Sequence, residues 1–253
     1  MVVFFYDKTF EGLLTAIFDA YSRKVFPDKL LVEGDIAPMF MEDSYTVITQ
    51  EDKANRVWKG LESKLSKGAC NMLTYVWLSE EEGGDDLMFR YIRKALDNKV
   101  SIETNFADSD VLQMSQLARK VSHEELYLKQ FVRFQKAADD IFFAPVFPRY
   151  NALPLAIGHF KDRFSDQKWV IYDMKRKYGY YYDLNTMVEI TLDNDEYLLG
   201  GKLDEKLMAE DEKLFQELWK GYFKSMTIKE RINPKLHRQH MPKRFWKYLT
   251  EKQ

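Results

Sequence analysis

The chain opens on an unbroken apolar run, Val2-Val3-Phe4-Phe5-Tyr6, that stops at Asp7. Five residues rich in β-branched and aromatic side chains suit a strand and are too few for a helix. Behind them the period changes. Thr9 stands as an N-cap, and Phe10, Leu13, Leu14, Ile17, Phe18 and Tyr21 follow at helical steps that put them on one face. Pro27 ends that element, and Leu30-Leu31-Val32 and Tyr45-Thr46-Val47-Ile48 read as short strands. From about Glu51 to Asn98 the pattern is helical, with breaks expected at Gly68 and at Gly83-Gly84. A long helix is expected from Asp108 to about Ala138. Its apolar face is Val111, Leu117, Val121, Leu128, Phe131 and Val132, and its open side carries Arg119, Lys120, Lys129, Arg133 and Lys136.

The character shifts near Asp139 and Asp140. Ile141-Phe142-Phe143-Ala144-Pro145-Val146-Phe147-Pro148 is extended, and its two prolines confine it to an edge or a strand end. Leu153-Pro154 opens a helix that holds His159, Phe160, Arg163 and Phe164. Three antiparallel strands are expected at Trp169–Asp173, Tyr178–Tyr182 and Met187–Thr191, with Asp183-Leu184-Asn185 turning between the last two. An acidic loop spans about Asp193 to Asp204, a helix follows from about Lys206 to Thr227, and Asn233-Pro234 and Pro242 each start a shorter helical piece. These elements predict an α+β protein, mainly helical, with a short antiparallel sheet. Val2–Tyr6 either joins that sheet or begins a smaller one. One elaborated domain is expected over residues 1–253, with a subdivision near residue 139 between a mainly helical part and one of antiparallel strands plus basic C-terminal helices.

Composition narrows the class. Hydrophobic content of 45% and charged content of 31% describe a globular chain, and an aromatic fraction of 15% is too high for every ring to lie on the surface. Cys70 is the single cysteine, so an internal disulfide and every cysteine-rich metal site are excluded. Neither a secretory leader nor a membrane-length apolar run appears, and the expectation is a cytoplasmic protein without a membrane partner.

Charge changes the picture more. Between Lys213 and Lys252 stand eleven Lys and Arg against Glu217, Glu230 and Glu251, a local charge of +8 in a chain whose net charge is −2. Aromatic residues interleave with the cations: Phe215, Trp219, Tyr222 and Phe223, then Lys243-Arg244-Phe245-Trp246-Lys247-Tyr248. Cations among rings suit phosphates and unstacked bases, so salt-sensitive binding to single-stranded or distorted DNA is expected. The expected contacts are Arg133, Arg176, Lys229, Arg231, Lys235, Arg238, Lys243, Arg244 and Lys247. A solvated amphipathic helix with core aromatics explains any one of these residues equally well, and an acidic protein partner would suit the same charge. The segment beginning at Pro242 cannot bury every ring and expose every cation, so Phe245 or Trp246 is expected to anchor it on the body.

Catalytic signatures are scarce. No phosphate-binding glycine loop, dinucleotide fingerprint or nucleophile elbow is present, no cofactor is implied, and His123-Glu124-Glu125-Leu126-Tyr127 lacks the second histidine of a zinc-protease helix. His237 and His240 lie three apart with no carboxylate beside them in sequence and Arg238 between them, which favours a phosphate contact or plain surface over a metal. Asp166-Gln167-Lys168, with Asp139 or Asp140 upstream, fits a metal-dependent nuclease pattern, as do Glu51-Asp52-Lys53 and Asp211-Glu212-Lys213. A more selective group is His159, Arg163 and Asp173, with Arg133, Tyr150, Asn151 and Arg176 nearby in sequence. His159 and Arg163 share a helix face and Asp173 ends a strand, so the three together could serve a nucleotide or form an ion-pair network. As a catalytic centre they would require one common pocket.

Several segments taken together resemble one bacterial family. They are Phe5-Tyr6-Asp7-x-Thr9-Phe10-Glu11-Gly12-Leu13-Leu14-Thr15-Ala16, Phe131-Val132-Arg133-Phe134, and Asn151-Ala152-Leu153-Pro154-Leu155 with His159-Phe160. Further on come Arg163-Phe164-x-Asp166-Gln167-x-Trp169-x-Ile171-x-Asp173, Leu218-Trp219-Lys220-x-Tyr222-Phe223-Lys224, Asn233-Pro234 and Met241-Pro242-Lys243-Arg244-x-Trp246-Lys247. The family is a domain of unknown function labelled as a DNA metabolism or repair protein, encoded beside a DNA-repair protein of the radical-SAM type and also found fused to a uracil-DNA glycosylase-like domain. The resemblance implies a nucleic-acid setting and a radical-SAM partner enzyme. It supplies no reaction and no catalytic residue.

Overall fold

The computed structural model describes residues 1–192 and 208–252. The chain divides into two compact units, residues 1–122 and 123–253. In the first, β1 (Val2–Tyr6) is the centre of a three-stranded parallel sheet, flanked by β2 (Lys29–Val32) and β3 (Asp43–Thr46) in the order β2-β1-β3. The opening strand thus begins its own sheet. Helix α1 (Phe10–Arg23) starts as the threonine predicts: Thr9 is extended at φ −97°, ψ 157°, and its hydroxyl accepts the Gly12 N–H. Lys24 closes the helix in the left-handed region at φ 58°.

Helices α2 (Glu51–Lys64), α3 (Lys67–Trp77) and α4 (Gly84–Asp97) fill the stretch expected to be helical. Gly83, at φ 74°, separates α3 from α4, but Gly68 lies inside α3. The break falls instead at Leu65 and Ser66, because the Ser66 hydroxyl accepts the Ala69 N–H and caps a new helix. The core of this unit joins Phe4, Tyr6, Leu13, Ile17, Leu61, Leu73, Met88 and Ile92, all buried.

Helix α5 (Ser109–Phe131) ends seven residues before the expected Ala138, since Gln135–Lys136 turns extended as β4. β4 opens a five-stranded sheet in chain order with β5 (Phe142–Val146), β6 (Trp169–Asp173), β7 (Tyr178–Tyr182) and β8 (Met187–Ile190). The three expected antiparallel strands pair as β6-β7-β8, and Asp183 accepts the Asn185 and Thr186 N–H groups at 2.8 and 2.6 Å to make their turn. The sheet is nonetheless mixed: β5 and β6 run parallel, joined through α6 (Leu153–Arg163). A crossover helix returns the chain to the same end of the sheet, so an antiparallel pairing there was ruled out once Leu153–Arg163 became helical. Pro145 is tolerated because β4 pairs only as far as Phe143, leaving β5 an open edge beyond it.

Trp169 and Tyr172 are fully buried in β6. Tyr172 faces Gly179 across the ladder, and a Cβ at Gly179 would fall 2.4 Å from the Ile171 carbonyl oxygen and 2.9 Å from the Tyr172 Cα. Both obstacles are backbone. Gly179→Ala is therefore expected to cost about 1–3 kcal/mol of stability by forcing β6 and β7 apart, read as a lowered urea midpoint.

Of the C-terminal helices, α8 (Pro234–His240) starts at the expected Asn233-Pro234, but α7 (Glu212–Met226) begins six residues after the expected Lys206, because Met208 bridges to Ala137 and the Ala209 N–H donates to the Lys136 carbonyl. Lys243–Tyr248 coils as a 3₁₀ helix and not as an α-helix. The acidic stretch read at Asp193–Asp204 lies outside the described residues.

Candidate nucleic-acid interface

Helix α6 buries Leu153, Ala156, Ile157 and Phe160 and turns His159 and Arg163 outward, four residues apart on one exposed face. Both line a cavity of about 770 Å³ whose other walls are the end of α5, residues 132–134, and the first half of α7. Cations and rings share its lining. Lys129, His159 and Arg163 bring charge or imidazole, and Phe134, Phe164, Phe215 and Trp219 bring aromatic surface. The Arg163 guanidinium lies 5.6 Å from the Phe164 ring centre, and Phe134 meets Phe164 edge-on at 5.1 Å. Phe215 and Trp219 remain 58% and 41% exposed, with Trp219 tilted against Tyr222, so part of each ring is accessible to a ligand. Lys129 pairs with Glu125 one helical turn earlier.

Two carboxylates at the rim are already committed. Glu212 accepts the Lys136 N–H at 3.0 Å and the Gln216 amide at 2.8 Å. Glu251 takes Arg133 at 2.9 Å and the Trp219 indole N–H at 3.0 Å. Burial pushes the Glu251 carboxyl up, but the hydrogen bonds from Trp219 and from Arg133, with the Arg133 charge, outweigh it and hold the group below its usual range. Arg133 also donates to the Gln130 and Val132 carbonyls, so it braces the wall of the cavity more than it projects into it.

Asp173 does not line this cavity. It is fully buried at the end of β6, where it accepts the Lys175 and Arg176 N–H groups at 2.8 and 3.2 Å and ion-pairs with Arg176 at 2.9 Å. Arg176 also donates to the Pro148 and Arg149 carbonyls at 3.3 and 3.2 Å. Both oxygens of this strand-end aspartate are engaged and the residue is fully buried, so the expected His159/Arg163/Asp173 group separates into a groove pair and a structural carboxylate.

The basic tail divides in the same way. Phe245 is buried against Tyr127, Phe131 and Leu249, which makes it the expected anchor, while Trp246 is half-buried and stacks on His237. Arg244 pairs with Glu124, a carboxylate 2% exposed that also accepts the Arg149 N–H at 2.8 Å. Burial raises Glu124 above the usual carboxylate range despite the Arg149 N–H and the Arg244 charge. Lys247 lies 4.6 Å from the Tyr248 ring and 5.0 Å from Phe147. Lys229, Arg231, Lys235, Arg238 and Lys243 are exposed, with Arg238 also donating to the Pro234 carbonyl at 3.0 Å.

Sequence reasoning had not singled out Phe134, Phe164 or Lys129 as ligand-facing, nor Glu124 and Glu251 as clamps. The signal for the two rings was Arg-Phe pairing in Arg133-Phe134 and Arg163-Phe164. For the clamps there was none, because their partners lie 120 and 118 residues away. Among the described residues no three His, Cys, Asp or Glu side chains converge on a common point, so the Asp166-Gln167-Lys168 pattern gathers no such group there. Nor is any helix long and apolar enough to cross a membrane.

No curated protein matches the chain. Among solved structures it is similar to the pGpG-specific phosphodiesterase PggH from Vibrio cholrae, at 11% identity and a TM-score of 0.37, over 71% of this chain and 80% of that one. A likeness that weak carries no argument. A family pattern does match, over residues 82–251, two thirds of the sequence and the whole of the groove. The chain belongs to the family described as the domain of unknown function DUF4130.

Proposed function

We propose that this protein binds single-stranded or distorted nucleic acid through the groove between α6 and α7, as an accessory factor that presents it to a partner enzyme. The observation that carries the reading is that Lys129, His159 and Arg163 line one cavity of about 770 Å³ together with Phe134, Phe164, Phe215 and Trp219. Phosphates reward the cations, and any base can stack on an open ring, so such a surface holds unpaired strands without reading their sequence. The exposed cation Lys243 supplies a further phosphate contact. The finer setting, DNA metabolism or repair beside an enzyme of the radical-SAM type, rests on the family resemblance. A catalytic role for the protein itself is less well supported, since the carboxylate such a role called on, Asp173, is tied to its own turn and to Arg176.

Fluorescence anisotropy with a labelled single-stranded oligonucleotide tests the proposal. Affinity should fall steeply with salt, and Arg163→Ala should flatten the log–log salt slope by about one. Phe215→Ala should weaken binding by roughly 1–3 kcal/mol, the worth of one stacked base, without lowering the melting temperature, because the ring is exposed. Absence of binding at low salt would reject the proposal. Strand cleavage or base release that depends on His159 would replace it with a catalytic one.

A further inference from the structure

Beside the groove-lining row of α7, Leu214, Leu218, Tyr222 and Met226 follow at four-residue steps, and none of the four lines the groove. They are 57, 58, 55 and 64% exposed. The stripe continues through Ile228, Ile232 and Leu236, each at least half exposed. Helices ordinarily turn such a stripe inward, and a contiguous exposed apolar surface of this kind marks an interaction site. Beside it, between the end of α7 and α8, lies a cavity of about 580 Å³ floored by Phe223, Ile228, Ile232 and Leu236. Arg231, Lys252 and two imidazoles, His237 and His240, form its rim.

Charge and side-chain type decide what fits. Six of the seven stripe residues are aliphatic or thioether side chains, which offer no face for a base to stack on, so nucleic acid is a poor occupant. A second copy is a poor one too. From Lys213 to His240 there are seven Lys and Arg against Glu217 and Glu230, and a symmetric pairing would set that surplus against itself. An acidic helix with its own apolar stripe satisfies both features, burying the leucines and isoleucines and meeting the rim with carboxylates.

We propose that the α7–α8 stripe is the docking surface for an acidic amphipathic helix of a partner protein. This surface is distinct from the nucleotide groove. It stands whether or not the groove binds nucleic acid.

The probe is a fluorescein-labelled synthetic helix with leucine at i, i+4, i+7 and i+11 and glutamate on both flanks, set against a scrambled peptide of the same composition. Titrated with the full chain, the patterned peptide should bind at least roughly tenfold tighter than the scrambled one, and more weakly at high salt. Leu218→Glu and Ile232→Glu should each abolish that difference while circular dichroism and oligonucleotide affinity stay unchanged. Equal binding of the two peptides, or binding that survives both substitutions, overturns the proposal. Displacement of the peptide by a single-stranded oligonucleotide would also overturn it, in favour of a single nucleic-acid surface. A dimer by light scattering that Leu218→Glu dissolves would assign the stripe to a second copy. Failure of oligonucleotide binding with retention of the peptide would reject the groove alone.

Discussion

Phe245→Ala should destabilise the C-terminal unit by about 3–5 kcal/mol, the usual cost of deleting a buried aromatic ring. Phe245 is 5% exposed and sits 5.6 Å from the Tyr127 ring and 5.4 Å from Phe131, with Leu249 completing the cluster. These contacts tie the last turn of α5 to a 3₁₀ segment whose other anchors are the Arg244–Glu124 pair and the stacking of Trp246 on His237. Its six residues make a short helix with poor intrinsic hydrogen-bond geometry, so tertiary packing must stabilise it. Once the ring is gone, Thr250 and Glu251 lose their position, and with them the wall of the groove and the clamp on Arg133 and Trp219. Urea unfolding followed by tryptophan fluorescence reads the loss. Oligonucleotide affinity should fall as well, although no cation has been removed. A variant as stable as the parent would mean that the tail is held elsewhere.

Arg244→Ala should cost about 3 kcal/mol, whereas Lys243→Ala should leave stability unchanged. The two residues are neighbours in a run of cations, yet Arg244 faces Glu124 and Lys243 faces solvent. Glu124 is 2% exposed, and without Arg244 its charge stays buried with the Arg149 N–H still donating to it. Removing one member of a buried pair costs about 3–5 kcal/mol, and the lower end applies because Arg244 itself keeps 40% exposure. Paired thermal melts of the single variants decide it. The pH dependence carries a further signature. Glu124 holds its proton more tightly folded than unfolded, so its contribution to stability is greatest at acid pH and is lost as pH rises through the raised value. In Arg244→Ala that value should climb further, and the loss of stability should extend to higher pH.

The local elements were legible from the sequence because short-range physics specifies them. Thr9 caps α1, short runs rich in aromatic and β-branched residues form β6, β7 and β8, and Asp183 makes the turn between the last two, each through groups within a few residues of one another. The α+β class and the outward placement of His159 and Arg163 on one helix face follow from the same periodicities. The Gly68 break failed because Ser66 offered a stronger cap than glycine offered a stop, and the long helix stopped early because Gln135 and Lys136 found a strand partner in Phe142 and Phe143.

What the tertiary structure alone decided is how the charges are spent. Sequence shows eleven cations in the last forty residues before Gln253 but cannot tell a free lysine from an arginine whose carboxylate lies 120 residues away. It cannot show that Asp173 is sealed by its own turn and by Arg176, or that the strand before α6 pairs parallel with the strand after it. Helical and strand periods record which side of an element is apolar, and they are set by neighbours along the chain. Ion pairs, sheet order and grooves are set by neighbours in space, and a pairing between residues far apart leaves no trace in the spacing of either.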